Sequence, residues 1–141
     1  MKKVSLILTT YNSEENLSST LESIEKQDYP LIEVNIKDGK STDNTLNIVK
    51  RYQTESRNTV HWITESDSGI YDAMNQGYQL ATGDIIVFFN DQFVRTDAVS
   101  KMAALIEQNP NCIGAHADLI YATDEKVVRY WKMGPQKSLY Y

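Results

Sequence analysis

Short apolar runs alternate with amphipathic stretches along the chain. Val4 to Thr9 predicts a first strand. Leu17, Leu21 and Ile24 then recur at helical spacing, behind Asn12 and Ser13 as capping residues and Glu14 and Glu15 in a positive first turn. Ile32, Val34 and Ile36 alternate and predict a second strand ending at Asp38. A turn through Gly39 leads to a helix with Leu46, Val49 and Tyr52 on one face, capped by the Ser41-Thr42-Asp43 segment. Val60 to Thr64 predicts a third strand, and Asp67 or Ser68 caps a helix with Ile70, Met74 and Gly77 on its inner face.

Ile85 to Phe89 is a continuous apolar run, the pattern of a strand buried on both faces. Thr96 is placed to cap a helix carrying Val99, Met102, Ala103 and Ile106. Cys112 to Ala117 predicts one more strand, and Leu119 to Ala122 with Val127 to Trp131 a hairpin. Strands that alternate with helices in this way predict an α/β fold with a mostly parallel central sheet. No repeat or linker divides residues 1–141, so they read as one domain.

Composition narrows the class. Hydrophobic residues make up 41% and charged residues 23%, which describes a globular domain. The formal net charge of −5 lacks the basic excess of a duplex-binding surface, so no nucleic-acid partner is expected. The single cysteine, Cys112, has no partner for an internal disulfide and reads as a buried thiol. The longest apolar run is far short of the roughly 20 residues of a membrane span, and Lys2-Lys3 with Val4 to Leu8 is too short for a signal peptide. A cytoplasmic location is expected, with peripheral attachment at the inner face of the membrane as a variant.

Several chemistries lack their motifs. There is no G-x-x-x-x-G-K-[ST] loop, and no G-x-G-x-x-G follows the first strand. One Cys and two His cannot complete a zinc site without carboxylates, and His61 and His116 read as structural residues in strands. Polar residues instead gather at strand ends: Thr9 to Asn12, Asp38, Glu65 to Asp67 and Asn90 to Gln92. Ligands of open α/β sheets bind at the carboxyl ends of the strands.

The same segments resemble glycosyltransferase family 2. Val4 to Asn12 is similar to its opening strand and T-Y-N loop. Asp38-Gly39-Lys40-Ser41-Thr42-Asp43-Asn44-Thr45 resembles D-G-G-S-T-D-x-T. Glu65 to Asn75 resembles the E-x-D-x-G-I-Y-D-A-M-N stretch of one bacterial branch, and Ala81 to Ile86 precedes Asn90-Asp91-Gln92 where the family carries D-x-D. The blocks occur in family order over residues 4–92.

The resemblance implies a GT-A fold, a three-layer Rossmann-like sandwich, here with a C-terminal β-hairpin. It also implies a nucleoside-diphosphate sugar as donor, of the uridine type. Tyr11 would stack on the base, a contact worth roughly 1–3 kcal/mol in comparable cases. Thr9 and Asn12 would bond the base or ribose. Asp38 would accept from the uracil imide, alone, because Gly39 stands where many relatives have a second acid. Asp67, Asn75 and Asn90 would complete the nucleotide site, with Met74 where much of the family has a phosphate-binding arginine. Mg²⁺ or Mn²⁺ would bind weakly at Asp91 and Gln92, because one carboxylate replaces the usual pair.

The implied activity is inverting transfer of the sugar to a hydroxyl of a glycan or lipid-linked acceptor, in cell-surface polysaccharide synthesis. A non-catalytic nucleotide-sugar-binding domain or an inactive fragment is the alternative. No catalytic residue is assigned: a base must deprotonate the acceptor, and Asp118, Asp124 and Glu125 are only candidates by position. The aromatic end, with Tyr130-Trp131 and Leu139-Tyr140-Tyr141, predicts truncation before an acceptor-binding region or a homo-oligomer contact.

Overall fold

The computed structural model describes residues 1–123 and 125–132. Asp124 and the segment 133–141, with Leu139, Tyr140 and Tyr141 of the predicted interface, lie outside the described residues, whereas Tyr130 and Trp131 are described and exposed. The chain alternates strand and helix as β1 (Val4–Thr10), α1 (Leu17–Glu25), β2 (Ile32–Asp38), α2 (Thr45–Glu55), β3 (Thr59–Thr64), α3 (Ile70–Tyr78), β4 (Ile85–Phe88) and α4 (Ala98–Gln108). A hairpin of β5 (Leu119–Ala122) and β6 (Val127–Trp131) follows. Strands β1 to β4 form one parallel sheet in the order β3-β2-β1-β4. The hairpin is a separate antiparallel pair.

Alternation along β1 and β2 sorts two faces. Val4, Leu6, Leu8, Ile32, Val34 and Ile36 join Leu17, Leu21 and Ile24 of α1, Ile48 and Val49 of α2, and Val99 and Ala103 of α4 in one buried cluster. The other face carries Ser5, Ile7, Glu33, Asn35 and Lys37, all buried as well, and α3 packs over it. Gly77 permits that approach: a Cβ there would sit 2.8 Å from Ile7 Cγ2. The chain thus winds one way through β1, β2 and β3, then returns past β1 to β4. Strand order reverses between β1 and β4, which is where open α/β sheets form their binding crevice.

Polar groups on the α3 face are paired around Glu33, while the buried Asn35 Oδ1 has no hydrogen-bond partner among the described residues. Glu33 accepts from Ser5 Oγ at 2.6 Å and from the backbone and hydroxyl of Thr82 at 2.6 and 2.7 Å, and it forms an ion pair with Lys3. Burial alone would raise its pKa. The bonds from Lys3, Ser5 and Thr82 outweigh burial and hold the carboxyl well below the usual carboxylate range.

Several local expectations are corrected. Residues 112–118 form no strand: Cys112 is exposed and so is His116, while His61 lies exposed on β3. Among the described residues β4 therefore has β1 as its one neighbour, and Phe88 is 49% exposed rather than enclosed on both faces. Helix α1 starts at Leu17, after a turn in which the Ser13 carbonyl accepts from Asn16 and Leu17. Glu14 is drawn off to the backbone of Asn44, so the first turn holds no acid. Helix α4 has Asp97, not Thr96, at its N-cap, because the Thr96 carbonyl accepts from Asp28. On α3, Ala73 and Gly77 face inward and Ile70 is exposed.

Candidate functional site

Tyr11 leaves the carboxyl end of β1 with 67% of its surface open. The next residue, Asn12, has φ +46°, a left-handed turn that asparagine tolerates. Asn12 does not reach back toward the tyrosine face. Its Oδ1 accepts from the Thr42 backbone at 2.9 Å, and its own N–H donates to Ser41 Oγ at 2.8 Å. These bonds tie the β1–α1 loop to the β2–α2 loop and hold the base of Tyr11.

Gly39 lies beside Tyr11 at the end of β2. A Cβ on Gly39 would lie 3.3 Å from Tyr11 Cδ2 and 3.1 Å from Asp67 Oδ2. The tyrosine ring and the Asp67 carboxylate therefore meet over one glycine, at the ends of β1, β2 and β3. Asp67 is held by the Lys37 ammonium at 2.7 Å and by the Gly69 backbone N–H at 3.1 Å. The Lys37 bond, aided by Gly69, keeps its carboxyl below the usual value. It is thus an ionised acceptor-only group next to an open aromatic face.

Asp38 stands differently from its expected part in base recognition. It is fully buried, and four hydrogen bonds reach its two oxygens. Oδ1 accepts from Thr10 Oγ1 at 3.1 Å and Ser41 Oγ at 2.5 Å, and Oδ2 from Ser41 N–H at 2.9 Å and Thr64 Oγ1 at 2.8 Å. A carboxylate has about four acceptor positions, so a base could bond it only by displacing one of these donors. Burial would raise its pKa, but these donors outweigh burial and lower it. The geometry makes Asp38 the organiser that joins the ends of β1, β2 and β3 beneath the site.

On the other side of β1, Thr9 and Asn90 pair with each other. Thr9 N–H donates to Asn90 Oδ1 at 2.9 Å, and Asn90 Nδ2 donates to Thr9 Oγ1 at 2.7 Å. The following turn is pinned by Phe89 and Phe93, whose rings stack at 3.9 Å. Gln92 Nε2 donates to Ser19 Oγ of α1 at 2.8 Å, so this side chain is committed to α1. Asp91 is left exposed in the turn. No group of three or more His, Cys, Asp or Glu side chains among the described residues could hold a metal ion by itself. Asn75 is exposed in the second turn of α3.

The structure thus brings Tyr11, Gly39 and Asp67 together, and Thr9 with Asn90. It assigns Asp38 and Asn12 to the frame. Lys37, which the pattern analysis did not single out, sits under the site. Its only sequence signal is a charge in a strand whose alternate positions Ile32, Val34 and Ile36 are apolar.

The profile described as Glycosyl transferase family 2 matches residues 5–140. The chain belongs to the family 2 glycosyltransferases. Similar family members include the poly(ribitol-phosphate) beta-N-acetylglucosaminyltransferase TarS of Staphylococcus aureus, 31% identical over 123 residues, covering 85% of this chain and 20% of TarS. A PGL/p-HBAD biosynthesis glycosyltransferase of Mycobacterium tuberculosis is 34% identical over 120 residues, covering 83% of this chain and 44% of its own length. The chain thus spans less than half the length of these relatives.

Solved structures agree on the fold. TarS residues 1–349 in complex with UDP superposes with a TM-score of 0.67 at 31% identity, covering 77% of this chain and 33% of that one. A mannosyltransferase of Pyrobaculum calidifontis in complex with GDP-Man and Mn²⁺ gives 0.69 at 27% identity, covering 74% and 32%. The family 2 sheet described above is therefore of the GT-A type, as the motif resemblance implied.

Proposed function

We propose that this chain is the donor-binding part of an inverting glycosyltransferase that uses a UDP-sugar. The observation that carries this reading is the meeting of the open Tyr11 ring with the ionised Asp67 carboxylate over Gly39. A pyrimidine can stack on the ring while the carboxylate accepts from an N–H or hydroxyl of the nucleoside. The UDP in the TarS complex supports uridine as the nucleoside. Thr9 and Asn90 close the crevice between β1 and β4, with Asn75 toward the diphosphate.

A divalent cation fits this site only with help from the donor. Asp91 would supply the protein carboxylate and the diphosphate the remaining charged oxygens, the usual way Mg²⁺ is held. Such an ion would neutralise charge on the departing diphosphate. Gln92 would be the weaker ligand, because it offers a neutral amide oxygen where a carboxylate would carry charge. The Mn²⁺ in the mannosyltransferase complex supports the cation. The acceptor would be a hydroxyl of a glycan or lipid-linked sugar in cell-surface polysaccharide synthesis, as the family resemblance implies, and the poly(ribitol-phosphate) in the name of TarS supports a polymer acceptor. No helix among the described residues is long and apolar enough to cross a membrane, and a cytoplasmic or inner-face location suits a nucleotide-sugar donor.

The lone Asp91 carboxylate favours a second reading, a nucleotide-sugar-binding domain without turnover. Donor hydrolysis and transfer assays with UDP-sugars and Mn²⁺ separate the two. Metal-stimulated UDP release supports the enzyme, whereas tight UDP binding with no turnover under any metal supports the binding domain.

A further inference from the structure

Lys37 is completely enclosed, although it lies one residue before the carboxyl end of β2. Its neighbours in register are Thr9 of β1 and Ile63 of β3, and Gly77 of α3 lies over its stem, where a Cβ would be 3.5 Å from Lys37 Cβ. Burying an ammonium costs several kcal/mol unless it is paired and hydrogen-bonded. This one donates to the Glu65 carbonyl at 2.8 Å and to Asp67 Oδ2 at 2.7 Å. Both acceptors belong to the β3–α3 loop. A loop that could otherwise swing is thus fixed from below by a cation built into the most buried strand of the sheet.

The held carboxylate is the one beside Tyr11. Asp38 is saturated and Gly39 has no side chain, so the end of β2 offers no free acid to a ligand. Asp67 has one bond to each oxygen, from Gly69 and from Lys37, and therefore keeps acceptor capacity. We infer that Lys37 is a positioning residue for nucleoside recognition, fixing the Asp67 carboxylate over Gly39 so that it faces hydrogen-bond donors of a nucleoside stacked on Tyr11. This rests on the nucleoside reading of that site. A lysine fulfils the task from inside the fold without touching the ligand.

The test compares UDP affinity, by calorimetry, of the wild-type chain with Tyr11→Ala, Asp67→Asn, Lys37→Met and the Lys37→Met/Asp67→Asn double variant, each with its thermal unfolding recorded. Lys37→Met is expected to weaken UDP binding at least tenfold while unfolding stays cooperative. The double variant should bind no more weakly than the worse single one, because both changes remove the same placed carboxylate. If Tyr11→Ala and Asp67→Asn bind UDP as the wild type does, the site reading itself fails. If they lose affinity while folded Lys37→Met does not, or if the effects add, the positioning inference is overturned. Should Lys37→Met not fold, the wild-type Lys37 side-chain ammonium resonance decides: it is expected to shift on saturation with UDP, and an unmoved resonance overturns the inference.

Discussion

Thr9 and Asn90 hold each other by two reciprocal hydrogen bonds, one from a backbone N–H and one from a side-chain amide. They lie at the ends of β1 and β4, where the strand order reverses. Asn90→Ala removes both bonds and is expected to lower stability by about 1 kcal/mol, since each bond is solvent-accessible. Chemical denaturation measures the loss. UDP affinity should fall less than in Tyr11→Ala.

Gly39 predicts a steric result. Gly39→Ala puts a methyl group 3.1 Å from Asp67 Oδ2 and 3.3 Å from Tyr11 Cδ2. One of the two must shift, so UDP binding is expected to weaken several-fold while the melting temperature changes little. Titration of UDP into the variant, with a thermal scan alongside, checks both.

The frame residues predict the opposite pattern. Asp38→Ala leaves Thr10, Ser41 and Thr64 without their common acceptor in a buried place. A loss of about 3 kcal/mol is expected, in the range found when buried polar or charged groups lose a partner. Equilibrium unfolding in urea reads it. If Asp38 served only the base, stability would be untouched and UDP affinity alone would fall.

Acid should unfold the chain through the same carboxylates. Glu33, Asp38 and Asp67 have folded pKa values below their unfolded ones, which lie at about 4. Their stabilisation is complete above the unfolded values and is lost as the pH falls through the folded ones. Stability is therefore flat from neutrality down to about pH 5 and declines below it. Glu33→Gln should flatten this decline, because Glu33 carries the deepest shift of the three.

How much of this was legible in the sequence depends on what each signal measures. The apolar runs of β1 and the hairpin placed those strands to within about a residue, because burial against a neighbour is what such runs encode. Cys112 to Ala117 has an apolar composition too, yet 112–118 forms no strand, since pairing needs a partner edge that composition does not specify. In β2 the alternation of Ile32, Val34 and Ile36 was plain, but Glu33, Asn35 and Lys37 are buried as deeply, because a central strand is covered on both faces. That is why Lys37 escaped notice. The motif blocks located Tyr11, Asp38 and Asp67 together. Which carboxylate is free depended on the donors Thr10, Ser41 and Thr64, which meet at Asp38 only through the fold.

The metal assignment has its own test. Asp91→Ala should abolish any gain in UDP affinity on adding Mn²⁺, whereas Gln92→Ala should keep most of it, because Gln92 offers only a neutral amide oxygen. Titrations with and without Mn²⁺ measure both.

Tyr11 and its surroundings are read as the seat of a uridine nucleotide. Calorimetric titration of UDP into the wild-type chain and Tyr11→Ala tests this most directly. Saturable one-to-one binding is expected, weakened in Tyr11→Ala roughly 5- to 150-fold by loss of a stacking contact of about 1–3 kcal/mol. No binding to the folded wild type, or equal affinity in the two proteins, would contradict it.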